Sequence, residues 1–248
     1  MTGRVDLGDR ELKGRFITFE GGEGAGKSTQ IQRLKGRLSK LGLAVVMTRE
    51  PGGSPGAEKI RTMLLSGDAK DLGPRGEAML FAAARADHID STIEPALVRG
   101  DWVLCDRFAD STRVYQGEAG VDPAYLDLLE TAAVAGMRPD LTILIDIPAD
   151  VGLTRVKTRS ETVSSGGPDR FELDDIGVHE RRRALFLNLA CREPERFAVI
   201  DGRQDTDAVE TAIWAAVENH FAEIGLSNRD SNNPSGDNAE ARADGQGA

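Results

Sequence analysis

The sequence has little cysteine: Cys105 and Cys191 are the only two in 248 residues, and no Cys-x-x-Cys spacing occurs. A disulfide framework and a structural zinc cluster are therefore not expected, and a reducing cytoplasm is the simplest compartment. Basic charge is also in deficit, with 31 Lys and Arg against 41 Asp and Glu, a net charge of −10. A duplex-binding protein needs a broad basic face to displace counterions, so no polynucleotide partner is expected. A local basic pocket for a small anion stays open. No apolar run is long enough to span a membrane, and the polar start lacks a signal-peptide core, so no membrane association is expected. Three scattered histidines (His88, His179, His220) read as surface or packing residues. There is no internal repeat.

Both ends read as appendages. Residues 1–13 form a polar extension without a clear period. Residues 227–248 hold Asn, Asp, Ser, Gly and Ala but no aromatic or large aliphatic side chain. Such a segment cannot bury enough apolar area to offset its ordering entropy, which predicts a disordered acidic tail. The body between them, 14–226, is long enough for one sizeable domain.

Within that body strand-like and helix-like patterns alternate. Short apolar runs at 16–19, 44–48, 102–105, 141–145 and 197–200 read as five strands. Ile31, Leu34, Leu38 and Leu41 share a helical face that Gly42 closes. Ser54-Pro55 opens a second helix as N-cap and N1, and Gly67 closes it. A long helical pattern spans about 75–99 with a kink or break at Pro95, and another runs from Asp122-Pro123 to near Gly136. Helices at about 148–158, 175–190 and 206–223 complete the pattern. Strands separated by helices predict an α/β fold: a three-layer, five-stranded parallel sheet flanked by helices. Ligands of such sheets bind beyond the carboxyl ends of the strands.

The most informative stretch lies at the end of the first strand. Gly21-Gly22-Glu23-Gly24-Ala25-Gly26-Lys27-Ser28-Thr29 has the phosphate-binding spacing Gly-x-x-x-x-Gly-Lys-Ser. Its glycines let backbone N–H groups wrap an anion. Lys27 brings charge to the β- and γ-phosphates, and the Ser28 hydroxyl is a Mg²⁺ ligand. A helix that starts here aims its positive end at the same phosphates. A Gly-rich turn with an incidental Lys-Ser is the plain alternative, but the strand before and the amphipathic helix after meet the motif's context. Asp106 ends the third strand, where a carboxylate holds Mg²⁺ directly or through water; a strand-end cap or an ion pair with Arg107 is the alternative.

With these residues in hand, the chain resembles the thymidylate kinase (dTMP kinase) family of P-loop nucleoside monophosphate kinases. The resemblance covers roughly 14–224. It rests on the loop from Glu20 to Thr29, Thr48-Arg49-Glu50-Pro51-Gly52-Gly53, Phe81-Ala82-Ala83-Ala84-Arg85 and Asp106-Arg107-Phe108, followed by Ser111-Thr112 and Tyr115-Gln116-Gly117. Arg138-Pro139-Asp140-Leu141-Thr142 and Asp169-Arg170-Phe171-Glu172 continue it in family order. Phe108 departs from the Tyr or His of many members.

The resemblance implies Mg²⁺-dependent transfer of a phosphoryl group from ATP to dTMP, in the cytoplasm, by a homodimer. It implies that Arg107 contacts both transferring phosphates and that Phe81 stacks the thymine. Arg49 and Arg61 then belong to the monophosphate side, Arg85 to a base edge or phosphate of the acceptor, Glu50 to the nucleotide sugar or a metal-bound water (a turn carboxylate is the alternative), and Thr112, Tyr115 and Gln116 to the base or sugar. The loop itself carries no arginine. The missing cation is expected from a mobile lid at about 155–173, lengthened by the Ser-Ser-Gly-Gly run at 164–167, where Arg155, Lys157, Arg159 and Arg170 occur. Arg170 is the main candidate. A kinase for another monophosphate, or a regulatory P-loop ATPase without an acceptor, are the competing readings.

Overall fold

The structure is a computed structural model that describes residues 13–162 and 171–226. Five strands form one sheet: β1 (Arg15–Glu20), β2 (Val45–Arg49), β3 (Trp102–Asp106), β4 (Leu141–Asp146) and β5 (Phe197–Asp201). Their order is β2-β3-β1-β4-β5, and every pairing is parallel. β1 thus lies at the centre, with Phe19 opposite Asp106 of β3 and Glu20 opposite Leu144 of β4. Four of the five strands end in a carboxylate (Glu20, Asp106, Asp146, Asp201), and β2 ends in Arg49.

Strand alternation divides the core. Ile17 and Phe19 of β1, Trp102 and Leu104 of β3, and Ile143 and Ile145 of β4 point to one face. There they meet Ile31, Leu34 and Leu38 of α1 (Lys27–Lys40) and Val209, Ile213 and Val217 of α9 (Thr206–His220). Phe16, Val103 and Cys105 point to the other face, against Ile89, Ile93 and Leu97. Burying these side chains removes large apolar areas from water, about 1.5–3 kcal/mol for each large one, which drives the layers together.

The other helices follow the capping signals. α2 (Pro55–Ser66) starts with the Ser54 hydroxyl accepting from the Ala57 N–H and ends at Gly67 in the left-handed region. The 75–99 pattern resolves into α3 (Gly73–His88), a wide π turn (Ile89–Ile93) and α4 (Glu94–Arg99). The break expected at Pro95 takes this form because proline has no N–H and its ring crowds the carbonyl four residues back. α5 (Ala109–Glu118) follows β3 directly; no helix was expected there from the sequence. α6 (Pro123–Val134) is capped by Asp122 and packs Leu126 near Ala78 of α3. α7 (Ala149–Thr162) and α8 (Ile176–Arg192) stand where helices at 148–158 and 175–190 were expected, each running beyond the expected end. The expected helix at 206–223 stops at His220 and passes into a 3₁₀ turn over Ala222–Ile224.

The polar extension up to residue 12, the centre of the expected lid including Arg170, and the acidic tail lie outside the described residues. Among the described residues no helix is long and apolar enough to cross a membrane.

Candidate active site

The loop after β1 closes tightly because its glycines leave room that a side chain would take. A Cβ on Gly21 would lie 2.4 Å from the Ile145 carbonyl oxygen. The outer turn rests on α7: a Cβ on Gly24 would fall 2.1 Å from the Gly152 carbonyl oxygen, and one on Gly152 2.3 Å from that of Glu23. α1 then begins at Lys27 with no side-chain cap, which leaves its first N–H groups to an anion. Lys27 Nζ donates to the carbonyls of Gly21 and Gly22 at 3.1 and 3.0 Å. Burial pushes its pKa down and the nearby Arg107 adds to this, so a phosphate at this point supplies the counter-charge that the buried ammonium favours. Ser28 Oγ donates to Asp106 Oδ2 at 2.8 Å, joining the first turn of α1 to the end of β3.

Arg107, next after β3, has φ +68, a left-handed backbone that is costly for a side chain with a Cβ. Glu20 compensates. Its carboxylate accepts from the Phe108 N–H at 2.8 Å and the Ser111 hydroxyl at 2.6 Å, while the Arg107 N–H donates to the Phe19 carbonyl at 2.9 Å. Burial, with Asp110 nearby, pushes the Glu20 carboxyl up to about 7. The Arg107 guanidinium is thereby directed across the cleft. It donates to Glu23 Oε1 at 2.7 Å and to Ser111 Oγ at 3.1 Å.

Glu23 also accepts from the Tyr115 hydroxyl at 2.7 Å. Burial alone would raise the Glu23 carboxyl, but Arg107, Lys27 and the tyrosine outweigh it and hold the pKa at about 2. Burial likewise drives the Tyr115 phenol up, so it remains a donor.

The second wall is built from α3, α5 and the loop after β2. Arg85 Nε donates to Glu50 Oε2 at 2.8 Å and Nη2 to Thr112 Oγ1 at 3.0 Å, with all three residues buried. Glu50 Oε1 meets His88 Nδ1 at 3.1 Å, and His88 Nε2 meets Thr48 Oγ1 at 2.6 Å. His88 is thus a fully buried packing residue, and it also fixes Glu50. Arg61 donates to the Pro51 carbonyl at 2.7 Å, and Arg49 pairs with Glu58 at 3.0 Å. Phe108 is buried, edge-on to Phe16 with centroids 5.0 Å apart, and the Arg85 guanidinium lies over its ring. Phe108 therefore packs in the core and also contributes to the cleft lining.

One cleft of about 350 Å³ gathers these groups. Glu23, Gly24, Ala25, Gly26, Lys27, Ser28 and Thr29 line one side with Asp106 and Arg107; Arg49, Glu50, Arg61, Phe81, Arg85, Thr112, Tyr115 and Gln116 line the rest. Gly21 and Gly22 shape the loop without lining the cleft. Arg170 lies outside the described residues, as does the side chain of Arg159. Arg155, another lid candidate, donates to the Gly202 carbonyl at 3.1 Å. The sequence reading missed Glu20 and Ser111, although a carboxylate ending the strand before the loop was a visible signal. It also missed Phe171 and Leu65, which line the cleft.

A glycine loop with its lysine at the centre of an all-parallel sheet, facing a second wall of arginines and an aromatic ring, defines a P-loop phosphotransferase of the nucleotide-kinase class. Comparison with known proteins narrows the class. Residues 19–213 match the family model described as thymidylate kinase. Similar relatives include the thymidylate kinase of Nitrobacter winogradskyi, 53% identical over 83% of this chain and 88% of that one. That of Rhodopseudomonas palustris (strain TIE-1) is 54% identical over 84% and 90%. The crystal structure of thymidylate kinase from Ehrlichia chaffeensis superposes with a TM-score of 0.64 at 32% identity, covering 82% of this chain and 98% of that one. The chain belongs to the thymidylate kinase family, and so to the nucleoside monophosphate kinases.

Proposed function

We infer that the protein transfers the γ-phosphoryl group of ATP to dTMP, giving ADP and dTDP. A phosphate oxygen of dTMP forms the new bond to the γ-phosphorus as the bond to the β–γ bridging oxygen breaks, and the electron pair leaves with ADP. The observation that carries this reading is the convergence of Lys27 and Arg107 on one cleft whose far wall holds Phe81 and Arg85. Such transfer needs charge stabilisation and alignment more than covalent help from the protein.

Lys27 and the loop N–H groups hold the donor phosphates. Arg107 faces both phosphates in transit. Arg85, Arg49 and Arg61 orient the acceptor phosphate, with Glu50 holding Arg85 in place. Phe81 stacks the thymine, and Thr112, Tyr115 and Gln116 read the base or sugar. Arg170 closes over the donor phosphates in place of an arginine in the loop.

The donor set suits Mg²⁺. A hydroxyl and a carboxylate oxygen already meet at Ser28 and Asp106. Among the described residues no group of three or more His, Cys, Asp or Glu forms a cage. The Ser28–Asp106 pair fits an ion that keeps few protein ligands and completes its shell with phosphates and water. Ser28 and Asp106 would hold it, and it would neutralise charge on the phosphate oxygens. The scarcity of cysteine supports a cytoplasmic location, and the family resemblance supports a homodimer.

A coupled ADP-release assay with ATP and a panel of nucleoside monophosphates tests the reading. Turnover with dTMP well above that with dCMP, dAMP and dGMP is expected. Equal turnover of all four would replace dTMP by a general acceptor, and ATP hydrolysis indifferent to every monophosphate would replace the kinase by an ATPase.

A further inference from the structure

Arg182 of α8 is a buried arginine with poor hydrogen-bond satisfaction, its side chain 7% exposed. Nη2 donates to Asp174 at 2.6 Å and stands 3.9 Å from the Glu118 carboxylate. Nε and Nη1 are buried with no hydrogen-bond partner among the described residues. An unsatisfied buried donor costs stability, and an apolar side chain of similar volume would fill the place without that cost. The arginine must therefore be explained by what it holds.

It holds Tyr115. The Arg182 guanidinium lies over the tyrosine ring, 4.4 Å from its centroid, and that of Arg107 lies 5.0 Å from the same ring. Phe171 meets Tyr115 edge-on at 5.5 Å and has Arg182 at 5.8 Å from its own ring. The desolvated cation thus binds two aromatic faces, while its ion pair with Asp174 fastens the turn that carries Phe171. Both rings line the cleft, and the Tyr115 hydroxyl ends on Glu23 beside Arg107.

We propose that Arg182 is a positioning residue for the acceptor wall: it seats Tyr115 against Glu23 and Phe171 at the cleft, and is kept at the expense of stability. The proposal rests on the phosphotransfer reading. Arg182 touches no substrate and acts through the tyrosine.

Steady-state kinetics and thermal unfolding of Arg182→Met and Arg182→Lys test it. Arg182→Met keeps the volume and removes the cation. The KM for dTMP should rise roughly three- to thirtyfold, the fold-change of a desolvated cation–π contact. The KM for ATP should stay as in the wild type and the melting temperature should hold or increase. Arg182→Lys should recover part of the loss, because an ammonium restores charge but not the stacked plane. Combined with Tyr115→Leu, which removes the ring that the guanidinium faces, the Arg182→Met effect should shrink, as expected when one residue acts through the other.

An unchanged KM for dTMP in the Met variant overturns the proposal. So does an equal rise in both KM values with a lowered melting temperature, which marks an ordinary core arginine. Independent effects in the double variant also overturn it. Wild-type turnover is measured first. If another monophosphate is the acceptor, the same split is read with that one, so a wrong acceptor is told apart from a wrong role for Arg182.

Discussion

At the scale of single residues, charge placement governs the site. Lys27 is the one cation in the loop sequence, buried and held on the Gly21 and Gly22 carbonyls. Lys27→Ala should lower kcat about a hundredfold to a thousandfold, the loss of one preorganised contact to the transferring phosphate, with the circular-dichroism spectrum unchanged. Near wild-type kcat would refute the assignment. Glu20 offers a test by pH. Its folded carboxyl is raised from 4.5 to about 7, so between these values the folded protein binds more protons than the unfolded chain, and stability falls as pH rises. Above about 7 the penalty is fully present. Glu20→Gln does not titrate, so its melting temperature relative to the wild type should improve from pH 5 to pH 8. A constant difference would show that the Glu20 proton does not report folding. Glu23 runs the other way: depressed to about 2, it contributes stability above its unfolded value near 4.5 and loses it as pH falls towards 2.

The elements show how far the sequence could be read. Five mostly apolar runs became five strands because the inner strands of a parallel sheet are covered on both faces; the buried Thr18 and Thr142 fit there because their hydroxyls bond each other at 2.8 Å. α5 escaped notice for the opposite reason. Its inward face carries Asp110, Thr112 and Gln116, all buried, so no apolar stripe marks it. Thr112 and Gln116 of that face line the cleft while Asp110 pairs with Arg196, so site and ion pair together erased the periodicity. The Asp-Arg pair and the Tyr-Gln-Gly run were legible as motifs, and Glu20 as a strand-end carboxylate, whereas the bond from Ser111 to Glu20 exists only because the fold brings β1 and α5 together. Sheet order and the π turn were not legible, because pairing partners and local hydrogen-bond shifts leave no pattern in composition. A glycine pair gives the test at this scale. Gly36, in α1, has open space where a Cβ would go, whereas a Cβ on Gly152 meets the Glu23 carbonyl at 2.3 Å. Gly36→Ala should raise stability by about 0.5–1 kcal/mol in chemical denaturation with kcat unchanged. Gly152→Ala should cut kcat roughly a hundredfold, as expected when catalytic groups shift by about an ångström. Equal kinetics in the two variants would mean that the loop tolerates displacement.

For the whole molecule, the net charge of −10 coexists with a cleft lined by Arg49, Arg61, Arg85 and Arg107. Bulk charge thus says little about the cleft, where the substrate's charge is met locally. The last 22 residues lie outside the described ones. A chain ending at Leu226 should keep the full-length kcat and melting temperature, since the tail's composition offers no apolar side chain larger than alanine to dock. A fall of several degrees in differential scanning fluorimetry would show that it packs on the domain. The contact between Gly24 and Gly152 also constrains how the molecule moves. Backbone meets backbone there with no space for a methyl group, so α7 cannot press closer on the loop, and a tilt about this contact would move the helix end most. From Gly152 to the end of α7 at Thr162 the lever arm is about 15 Å, so each degree of tilt carries the far end about a quarter of an ångström.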